Sequence, residues 1–278
     1  MRPTHVIKII SIIVLTVAMK YQSSQHATED PDLHQPWQNL CWSEAYENQT
    51  IIELDHAERV RQPIINSVIN HPERFDEHNF INITDLKTHS NSIWSTELQP
   101  NTDYEVQIYF RNDSDPKYYQ SGGTATGVRL AIDFNTQLMK DQEGAIAATI
   151  MADNTEPAQF TDLHWLYADT NLEIQYIEHS ARIHSNGKVN NTALGDELFS
   201  ETGCLLGYNR LNGRLPGGDQ FMGWVSFRIH TKKVINLNTM IYDMIIITLI
   251  GVGCGFIIFS IIIMPCYRIF KHYTRNQK

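Results

Sequence analysis

The sequence predicts an all-β protein: a β-sandwich ectodomain, immunoglobulin-like or jelly-roll-like, carried on one C-terminal transmembrane helix. Two patterns support this reading. From about residue 63 to residue 230, short runs alternate apolar and polar residues. Period two over four to eight residues marks strands with one buried and one wet face. Near the end stands Met244–Met264 (MIIITLIGVGCGFIIFSIIIM), free of charge and long enough to cross a bilayer as a helix.

Taken in order, residues 1–20 open with Arg2, His5 and Lys8 and continue into the apolar run Ile9–Met19. That run is too short to span the hydrocarbon core and has the make-up of a signal peptide, or of an N-terminal signal anchor if uncleaved. Residues 21–60 are polar and mixed and are expected to form a lead-in or stalk. Residues 61–234 are the expected ectodomain. In Tyr104–Phe110, Tyr104, Val106, Ile108 and Phe110 share one face, and Glu105, Gln107 and Tyr109 the other. Val128–Phe134, Ile146–Ile150, Leu163–Tyr167, Leu172–Tyr176, Ala181–Ile183 and Val225–Ile229 continue the pattern. The breaks at 112–116, Gly122-Gly123, 154–157 and Asn186-Gly187 carry turn residues. With no sustained helical period, this is the signature of a sandwich, and about 170 residues suffice for one core.

The transmembrane helix is expected over 241–264, followed by a basic tail, 265–278, with Arg268, Lys271, Arg275 and Lys278 and no acid. Basic residues beside a span stay on the cytoplasmic side. The expectation is a single-pass protein of the cell membrane, body outside and C-terminus inside, in contact with the lipid bilayer through 241–264. Gly251 and Gly255 form a G-x-x-x-G pattern that would let two such helices approach closely, giving a homo-dimer.

The net charge of −9 conceals an asymmetry: residues 1–20 carry +3 and residues 265–278 carry +4, which leaves −16 between them. So acidic an ectodomain is repelled by nucleic acid and by anionic lipid, and suits a cationic partner, a divalent metal or, most simply, solubility. Of four cysteines, only Cys41 and Cys204 lie outside the span and its inner edge. In an oxidising compartment they could pair, if the fold brings them together. There is no CxxC.

Gly203, Gly207, Gly213, Gly217 and Gly218 crowd into 201–221. They match neither G-x-x-x-x-G-K-[ST] nor G-x-G-x-x-G, and a strand pattern follows rather than a helix. These glycines are expected to turn the chain rather than to cradle a phosphate. The histidines are scattered, with no H-E-x-x-H, and His164 and His230 are expected to face outward from their strands. No G-x-S-x-G elbow is present, and no constellation argues for an enzyme. The expected cofactor is none, with structural calcium as a hypothesis at Asp76, Glu77, Asp153 and Asp162, whose carboxylates sit at turn-like positions. Trp94, Tyr118 and Tyr119 are candidates for a glycan platform, whereas Trp165 and Trp224 are expected to pack in the core or on a sheet face. The sequons at Asn48, Asn82, Asn112 and Asn190 are about as many as chance supplies.

Four stretches together resemble an uncharacterised secreted or surface-anchored domain of actinobacteria and other bacteria. They are PIINSVINHPERFDEHNF (Pro63–Phe80), YEVQIYFRN (Tyr104–Asn112), ATGVRLAIDF with ATIMADNTEP (Ala125–Phe134, Ala148–Pro157) and the long closing stretch Ile174–Phe227. The resemblance spans about residues 60–230. The family commonly has Gly where this chain has His179, and Cys where it has Gly218, so no family disulfide carries over. The resemblance implies the surface location and the all-β fold, and it brings no catalytic residues. The expected function is a non-enzymatic interaction or structural module (adhesin, envelope scaffold or recruitment partner), with a glycan- or cell-wall-binding module as the alternative. Its partner would be a protein or glycan of the cell envelope or extracellular space, and no nucleic acid.

Overall fold

Where the alternation is strongest, it becomes strand. Tyr104, Val106, Ile108 and Phe110 are buried on one side of the strand Asp103–Phe110, and Val225, Phe227 and Ile229 on one side of the strand Gly223–Lys233, as an apolar/polar period of two requires. In a computed structural model of the chain, the structure describes residues 52–55, 60–70 and 76–234. These residues belong to one unit, 34–234. Cys41, the N-terminal segment, and the predicted helix with Gly251 and Gly255 lie outside them. Among the described residues, no helix is long and apolar enough to cross a membrane.

Among the described residues fifteen strands run in order. The first five are β1 (Leu54–Asp55), β2 (Val68–Ile69), β3 (Ile81–Asp85), β4 (Asn91–Ser92) and β5 (Ser95–Glu97). Then come β6 (Asp103–Phe110), β7 (Arg129–Phe134), β8 (Gln137–Leu138), β9 (Gly144–Met151) and β10 (Gln159–Tyr167). The last are β11 (Leu172–Tyr176), β12 (Arg182–Ser185), β13 (Thr192–Ala193), β14 (Cys204–Leu205) and β15 (Gly223–Lys233). The helical content described is three short 3₁₀ turns, Pro116–Tyr118, Asp196–Phe199 and Asp219–Phe221.

Two sheets dominate. One has five strands in the order β14-β7-β9-β10-β5; the other has eight, with the path β13-β12-β15-β6-β3-β4 and β11 and β8 attached beside β15. Leu130, Ile132, Ile146 and Ile150 from the first sheet join Ile81, Ile108, Val225 and Phe227 from the second in one apolar core. The fold is all-β and sandwich-like, as expected from the sequence. The glycines of 201–221 do turn the chain. Gly213 and Gly218 take φ of 73° and 107°, where a side chain is strained, and a strand follows.

Two expectations are corrected. The start of the run 112–116 does not lie at the surface: Asn112, Asp113 and Ser114 are buried, as is Arg111 before them. Asn112 donates to the carbonyls of Gly123 and Leu215, both at 2.9 Å, and its Oδ1 accepts from the N–H groups of Ile64 and Ser114. The sequon there is thus closed to glycosylation. Of the two placements expected for Trp224, the sheet face is the one it takes: it packs on His184 and is 40% exposed. On β10 the facing is the reverse of the apolar pattern. Asp162 and His164 point inward with Phe160 and Leu166, so His164 is fully buried, while Trp165 and Tyr167 are 38% and 37% exposed.

Two inter-strand bonds account for that reversal. Asp162 Oδ2 accepts the Ile81 N–H at 2.9 Å, clasping β10 to the start of β3, and His164 Nε2 lies 2.9 Å from Thr96 Oγ1 on β5. Burial pushes the Asp162 carboxyl up to about 6, against the pull of its backbone hydrogen bonds, and pushes the His164 imidazole down to about 4. The two act with opposite sign. Asp162 favours folding most below its ordinary value of 3.8, and that contribution is lost as pH rises towards 6. His164 favours folding most above 6.5, and its contribution is lost as pH falls towards 4. Each displacement corresponds to about 3 kcal/mol. Between pH 4 and 6 the contributions of these two groups to the urea midpoint of the full-length chain are therefore expected to offset one another. Relative to the wild-type chain, His164→Gln should lose stability as pH rises through that window, and Asp162→Asn should gain it.

Candidate functional site

The outer face of the eight-stranded sheet is built from the polar half of the alternation. Register places Asn82 (β3) beside Gln107 (β6), Gln107 beside Ser226 (β15) and Ser226 beside Arg182 (β12). The next row sets Tyr109, Trp224 and His184 side by side. The His184 and Trp224 rings stack, with centroids 5.1 Å apart and planes at 13°, and His184 Nε2 lies 2.8 Å from Ser226 Oγ. The strand around Ser226 is paired on both edges, so its own backbone N–H groups are committed to the sheet.

Beside these rows the segment 76–80 rises over the strands and encloses a recess of about 230 Å³. Trp224, Tyr109 and Phe80 supply aromatic walls; Asn79, Asn82 and Gln107 supply carboxamides. Asp76 and Glu77 complete the rim. The amides are fixed in place: Gln107 Nε2 donates to Glu105 at 2.9 Å and Asn79 Nδ2 donates to Asp76 at 3.2 Å. Asn82 Oδ1 is buried and accepts no hydrogen bond among the described residues.

Behind the recess lies a buried ion cluster. Arg111 Nη1 donates to Glu77 Oε1 at 2.9 Å, its Nε lies 3.1 Å from Asp113 Oδ1, and its Nη2 lies 3.1 Å from Asp219 Oδ1. The Tyr109 hydroxyl donates to the same Glu77 oxygen at 3.2 Å. Asp113 Oδ2 accepts the Ser67 N–H at 2.6 Å, and Asn66 Oδ1 accepts the Arg111 N–H at 2.8 Å, so the segment before β2 is locked on as well. Burial pushes the Asp113 carboxyl well up, the adjacent Glu77 carboxylate adds to this, and Arg111 opposes it. Burial alone would lower the guanidinium, but the carboxylates of Asp113 and Glu77 outweigh it and hold it charged.

The structure distributes the residues singled out in the sequence. Asp76 and Glu77 are neighbours with different fates: Asp76 pairs with His78 Nδ1 at 2.8 Å, while Glu77 is buried against Arg111. Asp153 sits in the β9–β10 turn, and Asp162 is inside, each of its oxygens accepting a backbone N–H. Among the described residues, no three His, Cys, Asp or Glu side chains converge as a metal site. Trp94 lies in the turn between β4 and β5, its carbonyl accepting the Trp165 N–H. Tyr118 and Tyr119 stand elsewhere, Tyr118 under Arg61 and Lys117, and Tyr119 stacked on Phe221. They form no platform with Trp94. Cys204 on β14 carries a free thiol, which burial pushes up to about 11. His230 faces outward as expected, 2.6 Å from Asp103.

Sequence reasoning assigned Gln107 and Tyr109 to the outward face of their strand but not to a site. Their partners come from β3, β15 and the 76–80 segment, and only register brings these together. No protein-family model, curated protein or solved structure matches the chain. His179 has φ 60°, in the left-handed region that glycine adopts freely.

The ion cluster makes a direct prediction. Arg111→Met keeps the volume but strands the buried Glu77 charge, and should cost about 3–5 kcal/mol in urea unfolding of the full-length chain. Adding Glu77→Gln to that variant should recover part of the loss, because the stranded charge is then gone.

Proposed function

We propose that this domain is the outward-displayed, non-catalytic recognition module of a single-span cell-surface protein, and that it receives a protein partner on the outer face of the five-stranded sheet. The observation that carries this reading is the reversed facing of β10. With Asp162 and His164 turned inward, Leu163, Trp165 and Tyr167 are left on the outside, and the β4–β5 turn adds Ile93 and Trp94, 43% and 61% exposed. Large apolar side chains gathered on one surface cost solubility in the free protein and mark contact sites. Aromatic residues with an apolar body and a polar tip are the anchors that protein interfaces favour.

The charge around this patch says what it fits. Glu97 pairs in register with Tyr167 at the open edge of the sheet, and Asp133 lies on the same cross-strand row as Leu163. The partner is therefore a protein with an apolar centre and a basic rim, in keeping with the −16 carried between the two basic ends of this chain. Display at the membrane rests on the charge-free segment Met244–Met264 and the basic residues behind it.

The test is site-specific. A photoreactive phenylalanine analogue placed at Trp94 in the full-length chain, in cells that naturally express it, should give a discrete adduct with a different protein. The yield should fall at high salt and with Glu97→Lys. The same analogue at Met151, at the far end of the same face, should give none. An adduct with the mass of two copies of this chain, or equal labelling from both positions, would overturn the reading.

A further inference from the structure

We infer that the recess on the opposite, eight-stranded sheet is a saccharide site that takes one neutral or amino-sugar ring. It lies apart from the aromatic patch of β10 and needs nothing from it. A pyranose presents apolar C–H faces and a rim of hydroxyls that each donate and accept. The recess offers the matching pair: the Trp224 and Tyr109 rings as surfaces for the apolar face, and Asn79, Asn82 and Gln107 carboxamides for the rim. An amide reads vicinal hydroxyls well because it has a donor and an acceptor side by side.

Three further observations sharpen the assignment. The buried Asn82 Oδ1 lacks a donor among the described residues, and a hydroxyl supplies one. His184 stacks beside Trp224 and holds the indole, so little side-chain freedom remains to be lost when a sugar packs on it. The charges lining the recess are the carboxylates of Asp76 and Glu77, so an anionic ring such as a uronate or a sialate is repelled, as is a phosphate. Size sets the number of rings. At about 230 Å³ the recess is smaller than the roughly 300–1,000 Å³ of pockets for drug-sized ligands. One ring fits, at a chain end or as a single unit of a polymer. Both carboxylates are engaged, Glu77 by Arg111 and Tyr109 and Asp76 by His78, which suits gripping hydroxyls rather than cleaving a glycosidic bond.

The experiment uses the purified full-length chain in a detergent without a sugar headgroup. It is passed over immobilised β-glucan, mannan and N-acetylglucosamine oligomers, and over polygalacturonate and polysialate. Retention is expected on at least one of the neutral supports and on neither acidic one. Trp224→Ala should weaken that retention about tenfold or more, and Gln107→Ala, which removes no packed ring, should weaken it severalfold with an unchanged thermal midpoint. Trp94→Ala should leave it unchanged, which separates this site from the protein-docking face. No retention on any neutral support, retention that survives Trp224→Ala, or equal retention on the acidic supports would each overturn the assignment.

Discussion

The strand β15 sets the terms for everything around it, because its backbone is committed on both edges. Along one edge it pairs with β6 from Gly223 to His230; along the other it pairs first with β12 and then with β11. A strand held on both sides cannot slip by one residue without exchanging its faces and breaking two ladders. That constraint drives Val225, Phe227 and Ile229 into the core opposite Ile108, Val106 and Tyr104. It also forces Trp224, Ser226, Arg228 and His230 out on the other side. The candidate saccharide face is thus a consequence of core packing. The same register that buries Phe227 lines up Tyr109, Trp224 and His184.

The segment that walls the recess has no comparable ladder and is held by charge instead. Glu77 reaches back to Arg111, and Arg111 gathers Asp113 and Asp219. Burying such a group stabilises little in net terms, since each ion gives up hydration that its partners only just replace. What the cluster supplies is placement. Asp113 takes the Ser67 N–H, Asn66 takes the Arg111 backbone N–H, and the guanidinium meets Glu77 and Asp219, so three separate segments are fixed to the run that directly follows β6.

How much of this was legible in the sequence depends on which physical signal each part leaves. The facing of β6, β7 and β15 was readable, since apolar residues at every second position are the ones the structure buries. On β10 the same rule fails for a definite reason. Leu163, Trp165 and Tyr167 are more apolar than Phe160, Asp162, His164 and Leu166 taken together, yet the polar pair is inside because Ile81 and Thr96 satisfy it. Those partners are distant in sequence and leave no trace in the local pattern. The hub at 111–114 was hidden similarly: Arg-Asn-Asp-Ser followed by Asp-Pro has the composition of a turn, and only the tertiary bonds of Asn112 and Arg111 show otherwise. For the recess, the outward residues of single strands were visible, but the cross-strand register that makes them a site was not.

A sandwich has two outer faces, and here each carries a different kind of chemistry. The five-stranded sheet shows Trp165 and Tyr167 beside acids, which suits a broad protein surface; the eight-stranded sheet shows a small recess of rings and amides, which suits one sugar. Because the core lies between them, occupancy of one face does not block the other sterically. On the two proposed readings, a protein partner and a saccharide would be held at once. When both belong to the same surface, the second contact forms at the high effective concentration that the first one creates. Two modest sites can then hold a cell surface more firmly than either could alone. The small size of the recess is therefore no argument against its use.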